Sequence, residues 1–275
     1  RSEGIPYLFL TNNSAPAPED LAVRLKHLGI DGVSPRDFYT SAMNTADFLS
    51  ETHPNCTAFV LGEGGLLTAL HEKRIANDGI NPSYVIVGEG AVSTDKLTKA
   101  HECIERGARL LSTNPDNWCP VGADKTRPGA GATTAYLEAS TGQPAYYLGK
   151  PNGYMFERAR KKLEDNSRTA PEQVVMIGDT METDIRGAFE AGLCSFLVLT
   201  GSTQLEDLRN YAYQPTRTLN SVADLADELA SGLPSSRLNS PAFVLGRSNG
   251  KLKGKRHQTD FENPRRNRPR PAMVG

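Results

Sequence analysis

Short apolar runs alternate with longer stretches of helical periodicity along most of the chain. Residues 5–10 predict a buried strand that ends at Thr11, and Pro18 marks the first turn of the helix that follows. The strands predicted next are 38–40, 57–61, 84–87, 109–112, 145–148, 173–177 and 195–199. The helices predicted among them are 43–52, 65–73, 93–106, 131–140, 154–163, 183–191 and 221–231. Strands interleaved with helices indicate an α/β fold in which a parallel sheet is covered on both faces.

The pattern dissolves beyond Gly232 into polar and basic sequence. Residues 242–245 predict at most one more short strand, and 246–275 are too polar to form a core, so we expect disorder there. Residues 247–275 hold nine Lys/Arg against two Asp/Glu, although the net charge of the whole chain is −1. The rest of the chain is therefore acidic, which argues against a protein built to bind nucleic acid. A basic tail without interleaved aromatic residues supports only weak, salt-sensitive binding to such a polyanion.

The four cysteines, at 56, 103, 119 and 194, form no Cys-x-x-Cys pair. Neither a disulfide framework nor a zinc site is therefore predicted, and buried thiols in a reducing, cytoplasmic setting are the expectation. No apolar run approaches the length of a membrane span. We expect no membrane partner.

Polar residues follow three predicted strands at the point where each strand ends, which is the edge where parallel sheets carry functional loops. The first group is Thr11 to Ser14, whose hydroxyl and backbone amides could hold a phosphate oxygen. The second is Lys150, a compact positive charge after an apolar strand. The third is Asp179, which ends a strand, with Asp184 at the start of the next helix; two such carboxylates suit one hard cation. Taken singly, residues 11–14 are more typical of a capping turn, Lys150 of a surface lysine and Asp184 of a helix cap. Asp179, which ends a wholly apolar strand after Gly178, is as typical of a functional residue as of a structural one.

In this order along the chain, strand-Thr11, strand-Lys150 and strand-Asp179 with Asp184 resemble motifs two, three and four of the haloacid-dehalogenase-like superfamily. The chain is most similar to its NagD-type branch, which includes 4-nitrophenylphosphatase, phosphoglycolate phosphatase and pyridoxal-phosphate phosphatase. The resemblance covers about residues 4–232. The stretches that carry it are 4–13, 97–101, 113–116, 128–131, 149–151 and 178–179.

The resemblance implies a Rossmann-like parallel core with an inserted α/β cap of the C2 type. The implied division is core at 1–44, cap at 45–145, core at 146–232 and a basic tail at 233–275. It also implies an aspartate nucleophile that forms an aspartyl-phosphate, with Mg²⁺ neutralising the developing charge. The implied roles are phosphate binding for Thr11, Asn12, Asn13 and Lys150, catalysis for Thr11 and Lys150, and metal binding for Asp179 and Asp184.

In the resembling branch the cap reaches over the active site and selects the leaving group. The matching positions lie in 113–116 and in a predicted loop, 117–128, and the candidates for specificity are Asn114, Asp116, Trp118, Lys125 and Arg127. An ordinary solvated loop over a packed tryptophan explains the same residues equally well. A closing cap favours a small phosphorylated metabolite over a phosphoprotein. The branch also implies a homodimer formed through the cap.

One motif of the resembling family, Asp-x-Asp-Gly, does not occur, because no Asp in the sequence is followed two positions later by another. This motif supplies the nucleophile at the end of the central first strand of the sheet. We therefore expect that strand to be missing and the chain as printed to be inactive. The alternative is a non-catalytic protein that binds phosphate or a phosphorylated metabolite in the same pocket.

Overall fold

The alternation of strands and helices predicted from the sequence is confirmed in a computed structural model, which describes residues 6–122, 125–167 and 174–230. The strands are β1 (Phe9–Thr11), β2 (Phe38–Thr40), β3 (Thr57–Leu61), β4 (Ala76–Asn77), β5 (Tyr84–Val87), β6 (Arg109–Ser112), β7 (Trp118–Gly122), β8 (Lys125–Pro128), β9 (Tyr146–Tyr147), β10 (Val175–Gly178), β11 (Cys194–Val198) and β12 (Arg217–Leu219). The α-helices are α1 (Pro18–His27), α2 (Ser41–Thr52), α3 (Gly64–Glu72), α4 (Thr94–Glu105), α5 (Ala130–Thr141), α6 (Gly153–Ser167), α7 (Arg186–Glu190) and α8 (Val222–Ala230). Most predicted elements therefore exist, with ends that differ by no more than four residues.

The largest sheet has five parallel strands in the order β4-β3-β5-β6-β9. Its strands are rich in Val, Ile and Leu because helices bury both faces. Apolar residues of α2 and α3 pack on one face in a cluster that includes Leu49 and Leu66. Residues of α4 and α5, among them Ile104 and Leu137, pack on the other. This packing on both faces fixes the position of the strands, including the carboxyl end of β6 at Ser112.

Two smaller parallel sheets hold the remaining predicted strands. One pairs β1 with β2, and the other has the order β10-β11-β12. Among the described residues, β1 and β10 are each an edge strand. Phe9 of β1 is 38% exposed and Ile177 of β10 is 37% exposed, although both lie in apolar runs. These two strands are less buried than their composition predicts.

The structure corrects the sequence-based expectation in three places. Most of the predicted loop 117–128 is strand, because β7 and β8 pair as an antiparallel hairpin. The sequence did not predict this pairing because Pro120 and Pro128 each lack a backbone N–H donor, which argues against a strand. The helix expected at 183–191 begins instead as a π-helical turn, Met181–Ile185. The short strands β4 and β12 were missed because they are polar and have two and three residues.

All helices in the described ranges are too short or too polar to cross a bilayer. The strand predicted at 242–245 and the disorder predicted at 246–275 lie outside the described residues. The division of residues 1–232 into core and cap stays a prediction, and β9, predicted to open the second core segment, pairs with β6 of the five-stranded sheet.

Candidate active site

The turn after β1 is shaped by its own side chains. The backbone N–H of Asn13 donates to Thr11 Oγ1 at 3.1 Å, and the Asn13 Oδ1 atom accepts from the N–H of Ala15 at 3.0 Å. Such side-chain turns are typical of Thr and Asn, which compete with regular structure for backbone groups. The Thr11 hydroxyl keeps its own O–H for donation. This hydroxyl is therefore available to an anion at the end of β1.

Asn12 connects three separate segments of the chain. Its Oδ1 atom accepts from the N–H of Lys150 at 2.7 Å, and its Nδ2 atom donates to the carbonyl oxygen of Lys150 at 3.1 Å. The same Nδ2 atom lies 3.3 and 3.2 Å from the two carboxylate oxygens of Asp116. With these four contacts the Asn12 amide is fully used inside the protein. The geometry gives the Asn12 side chain a positioning role toward Lys150, while its phosphate-binding role stays a prediction.

Lys150 and Asp184 form a buried ion pair. The Lys150 Nζ atom donates to Asp184 Oδ1 at 2.6 Å and to the carbonyl oxygen of Leu10 at 3.2 Å. The ammonium therefore joins the end of β1 to the turn after β10. The Lys150 side chain, which is 12% exposed, is therefore fixed in position, as a preorganised donor to a phosphate oxygen must be.

The second oxygen of Asp184 closes the turn after β10. Asp184 Oδ2 accepts from the backbone N–H groups of Asp179 at 3.2 Å and Thr180 at 3.3 Å. The carboxylate packs directly against Gly178, where a Cβ atom would overlap it. Asp179 is held from the other side, because its Oδ2 atom accepts from the N–H of Ser202 at 2.8 Å. The two aspartates that the sequence singled out are therefore adjacent at the end of one strand.

The specificity candidates separate into two groups. Asn114 is buried, donating from Nδ2 to the carbonyl oxygen of Asn12 at 2.7 Å, and its Oδ1 atom accepts from the N–H of Asp116 at 3.0 Å. Burial raises the pKa of the Asp116 carboxyl, and the hydrogen bonds from Asn12 oppose that shift. The structure thus brings Asn114 and Asp116 to the turn after β1, next to Lys150.

The other three candidates lie on the β7–β8 hairpin. Trp118 is 60% exposed and Lys125 is exposed, so both side chains are accessible to a ligand. Arg127 forms ion pairs with Glu63 at 3.2 Å and Glu89 at 3.8 Å. Its charge is therefore already balanced by two carboxylates.

Glu89 is a buried acid that the sequence analysis missed. Its carboxylate accepts from Asn114 Nδ2 at 3.2 Å, and its backbone N–H donates to Ser14 Oγ at 2.9 Å. Glu89 follows the wholly buried strand β5 in the sequence Gly88-Glu89-Gly90. The rule that selected Thr11 and Asp179, a polar residue directly after an apolar strand, would have found it.

The acids at this edge fit one hard cation only in part. Asp179 and Asp184 supply carboxylate oxygens, the ligand type that Mg²⁺ prefers. Asp184 is engaged by Lys150 and two backbone amides, and the described part of the chain contains no group of three or more metal-binding side chains. Mg²⁺ is often held by one or two carboxylates together with substrate phosphate oxygens. The donor set therefore suits a cation that binds with a phosphorylated ligand.

Comparison with known families and proteins gives consistent matches. A family model described as haloacid dehalogenase-like hydrolase matches residues 1–76, and one described as HAD-hydrolase-like matches 147–225. Dihydroxyacetone phosphatase of Corynebacterium glutamicum is 41% identical over 224 residues, which are 81% of this chain and 79% of that protein. The ribonucleotide monophosphatase NagD of Escherichia coli is 36% identical over 81% of this chain and 86% of its own length.

The fold has close counterparts among solved structures. A thermostable NPPase from Geobacillus stearothermophilus, solved as a double mutant, superposes with a TM-score of 0.75 at 38% identity, covering 81% of this chain and 87% of that one. NagD from Escherichia coli K-12 superposes with a TM-score of 0.74 at 36% identity, covering 81% and 86%.

Proposed function

Because this chain belongs to the haloacid dehalogenase-like hydrolases, in the NagD-type branch of phosphate-monoester hydrolases, we propose that it acts on small phosphorylated metabolites with Mg²⁺. The observation that carries the proposal is the Lys150–Asp184 ion pair, which joins the end of β1 to the end of β10. It supports a site in which Lys150 lies near the ends of the two strands that carry Thr11 and Asp179, as binding of a tetrahedral dianion with a divalent cation requires.

The roles follow from the chemistry of each group. The Thr11 hydroxyl and the Lys150 ammonium bind phosphate oxygens, and the backbone at Asn12 and Asn13 adds amide donors. Asp179 and Asp184 would hold Mg²⁺, which would neutralise charge on the phosphate. The nucleophile would be the aspartate of an Asp-x-Asp-Gly motif, which the 275 residues do not contain. It would displace the alcohol from phosphorus to form an aspartyl-phosphate, which water would then hydrolyse.

The substrate class rests on the relatives and on the hairpin. The similar proteins are named for dihydroxyacetone phosphate, ribonucleotide monophosphate and acid sugar phosphate activities, which all concern small phosphate monoesters. Trp118 and Lys125 present an exposed aromatic ring and a cation on the hairpin, the groups that would contact the leaving group. A homodimer through residues 45–145 belongs to the same proposal.

The lack of an Asp-x-Asp pair in the printed sequence favours a second candidate, a non-catalytic protein that binds phosphorylated metabolites at the same site. Turnover of p-nitrophenyl phosphate with Mg²⁺ separates the two. We expect background activity for the 275-residue chain and strong activity after fusion to a strand that carries Asp-x-Asp-Gly. The matched control is the same fusion with Asn-x-Asn-Gly.

Each outcome has a distinct reading. Robust turnover by the 275-residue chain, lost in Lys150→Ala or Asp179→Asn, would refute the claim that this chain lacks its nucleophile. Calorimetry with Mg²⁺ and inorganic phosphate tests the second candidate, because a binding protein titrates without any fusion. No heat of binding and no activity after fusion would contradict both.

A further inference from the structure

A cleft lies at the opposite end of the five-stranded sheet from the candidate active site. It encloses about 600 Å³, within the range typical of small-molecule pockets. Its walls come from the amino ends of β5, β6 and β9 and from the end of α2. We name it the amino-end cleft and define it by Phe48, His53, Tyr84, Arg109, Gln143 and Tyr146. No residue assigned above to phosphate or metal binding lines it.

Arg109 is the cationic arginine that lines the amino-end cleft, and neutral partners fix it in place. Its Nη1 atom donates both protons, to His53 Nε2 at 3.0 Å and to the Tyr84 hydroxyl oxygen at 3.0 Å. The guanidinium also lies over the Tyr84 ring, 5.4 Å from its centroid. Arginine has no acceptor, so the His53 Nε2 atom must carry a lone pair here. The guanidinium is thus oriented without being neutralised.

The rest of the Arg109 guanidinium remains open to a ligand. Across the described ranges, its Nε and Nη2 atoms donate to no protein group, and no acidic side chain approaches the guanidinium within 4.0 Å. A guanidinium edge with two parallel N–H groups matches the two oxygens of a carboxylate. The unpaired edge of the Arg109 guanidinium therefore favours an anionic ligand beside Nε and Nη2.

The remaining walls define what the anion is attached to. Ile104, Ala108 and Leu110 give the cleft an apolar floor, and the Tyr146 ring at its rim is 46% exposed. Glu105 also lines the cleft, with its carboxylate 3.3 Å from His101 Nε2, so a polyanion would meet a negative charge. A single negative charge on an apolar body suits these walls best.

We propose that the amino-end cleft binds a small organic monocarboxylate, whose carboxylate pairs with the free edge of Arg109 and whose apolar part packs on the floor and on Tyr146. The site is separate from the phosphate site and does not depend on catalysis. A ligand there would contact β6, which ends at Ser112 beside the Asn114–Asp116 loop.

The probe is benzoate, added to the 275-residue chain and followed by saturation-transfer NMR and calorimetry. We expect saturable binding with a Kd on the order of 1 mM, as befits a ligand of this size. Arg109→Gln should weaken binding about tenfold, because a bidentate charged hydrogen bond is lost. The matched control is Arg106→Gln, since Arg106 is a neighbouring exposed arginine that pairs with Glu102 outside the cleft.

Further arms keep the proposal falsifiable. Lys150→Ala, once circular dichroism shows that it is folded, should leave benzoate binding unchanged, and loss of binding in the folded variant would place benzoate in the phosphate site and overturn the proposal. Absence of saturable binding, or equal weakening by Arg106→Gln and Arg109→Gln, would also overturn it. If circular dichroism shows that Arg109→Gln fails to fold, Tyr146→Ala provides the same comparison through the apolar contact.

Discussion

Asn12 joins the turn after β1 to Lys150 and Asp116 through one buried amide. Asn12→Asp would replace the donating amide with a carboxylate that faces Asp116 and the Lys150 carbonyl. We expect a loss of about 2–4 kcal/mol in unfolding free energy, the scale of buried polar groups left without partners. Urea unfolding measures it.

The neighbour Asn13 supplies the control for this prediction. Among the described residues its side chain takes part in one hydrogen bond, which it accepts from the N–H of Ala15, so Asn13→Ala should lower stability by about 1 kcal/mol or less. Asp116→Asn should relieve part of the loss in Asn12→Asp, because it removes the facing charge. Equal losses at positions 12 and 13 would show that the Asn12 contacts contribute little.

The ion pair between Lys150 and Asp184 allows a test of coupling between two buried charges. Lys150→Met leaves the Asp184 carboxylate buried without its cation, which should cost about 3–5 kcal/mol. The double variant Lys150→Met with Asp184→Asn should lose less than the sum of the single losses, because no unpaired charge remains. Strict additivity in denaturant unfolding would mean that the two side chains do not interact in solution.

The buried carboxyl of Asp116 makes stability depend on pH. Its pKa is raised in the folded state, so the folded protein holds this proton to higher pH than the unfolded chain does. This group therefore favours folding at low pH and opposes it as pH rises through the folded-state value. Asp116→Asn should stabilise the protein at pH 7 and lose that advantage near pH 4. Asp31→Asn, on an exposed turn, is the control and should show no such difference in urea unfolding.

At the scale of the elements, the loop that carries Lys150 depends on close approach between backbones. A Cβ atom at Gly149 would lie 2.5 Å from the carbonyl oxygen of Thr113 and 2.8 Å from Asn12 Oδ1. Gly149→Ala should therefore destabilise the fold by about 1–3 kcal/mol, as overpacking does. Gly153→Ala is the matched control, because that glycine has open space around it at the start of α6, and alanine should stabilise there by up to about 1 kcal/mol. Thermal unfolding of both variants is the measurement, and a Tm that rises in both would contradict the contact.

How far the sequence predicts each element depends on where its stabilising contacts come from. The strands β3, β5 and β6 were predicted to the residue, because their apolar runs are buried locally by neighbouring helices. The β7–β8 hairpin was missed because its pairing comes from two proline-containing segments that show no alternation.

The candidate site was predictable in its strand-end residues and not in its contacts. Thr11 ends a strand, Lys150 and Asp179 each follow one, and these positions are visible in the sequence. The Asn12–Asp116 contact joins residues 104 positions apart, so it depends on the tertiary fold and no local pattern indicates it.

At the scale of the whole molecule, the parallel strands divide between one well-covered sheet and two with exposed edges. Ile86 of β5 is fully buried, whereas Ile177 of β10 is 37% exposed. The same substitution at both positions therefore compares a strand in the middle of a sheet with a strand at the edge of one.

Ile86→Ala should lower the unfolding free energy by about 2–5 kcal/mol, since it removes buried methyl groups and leaves a cavity. Ile177→Ala should cost about 1 kcal/mol or less, because water already reaches much of that side chain. Urea unfolding of the two variants gives the comparison. Similar large losses at both positions would mean that another segment or a partner covers the edge of β10 in solution. If the covering segment is a strand that pairs with both β1 and β10, it would join their two sheets into one. The Lys150–Asp184 pair would then lie at the end of a continuous sheet.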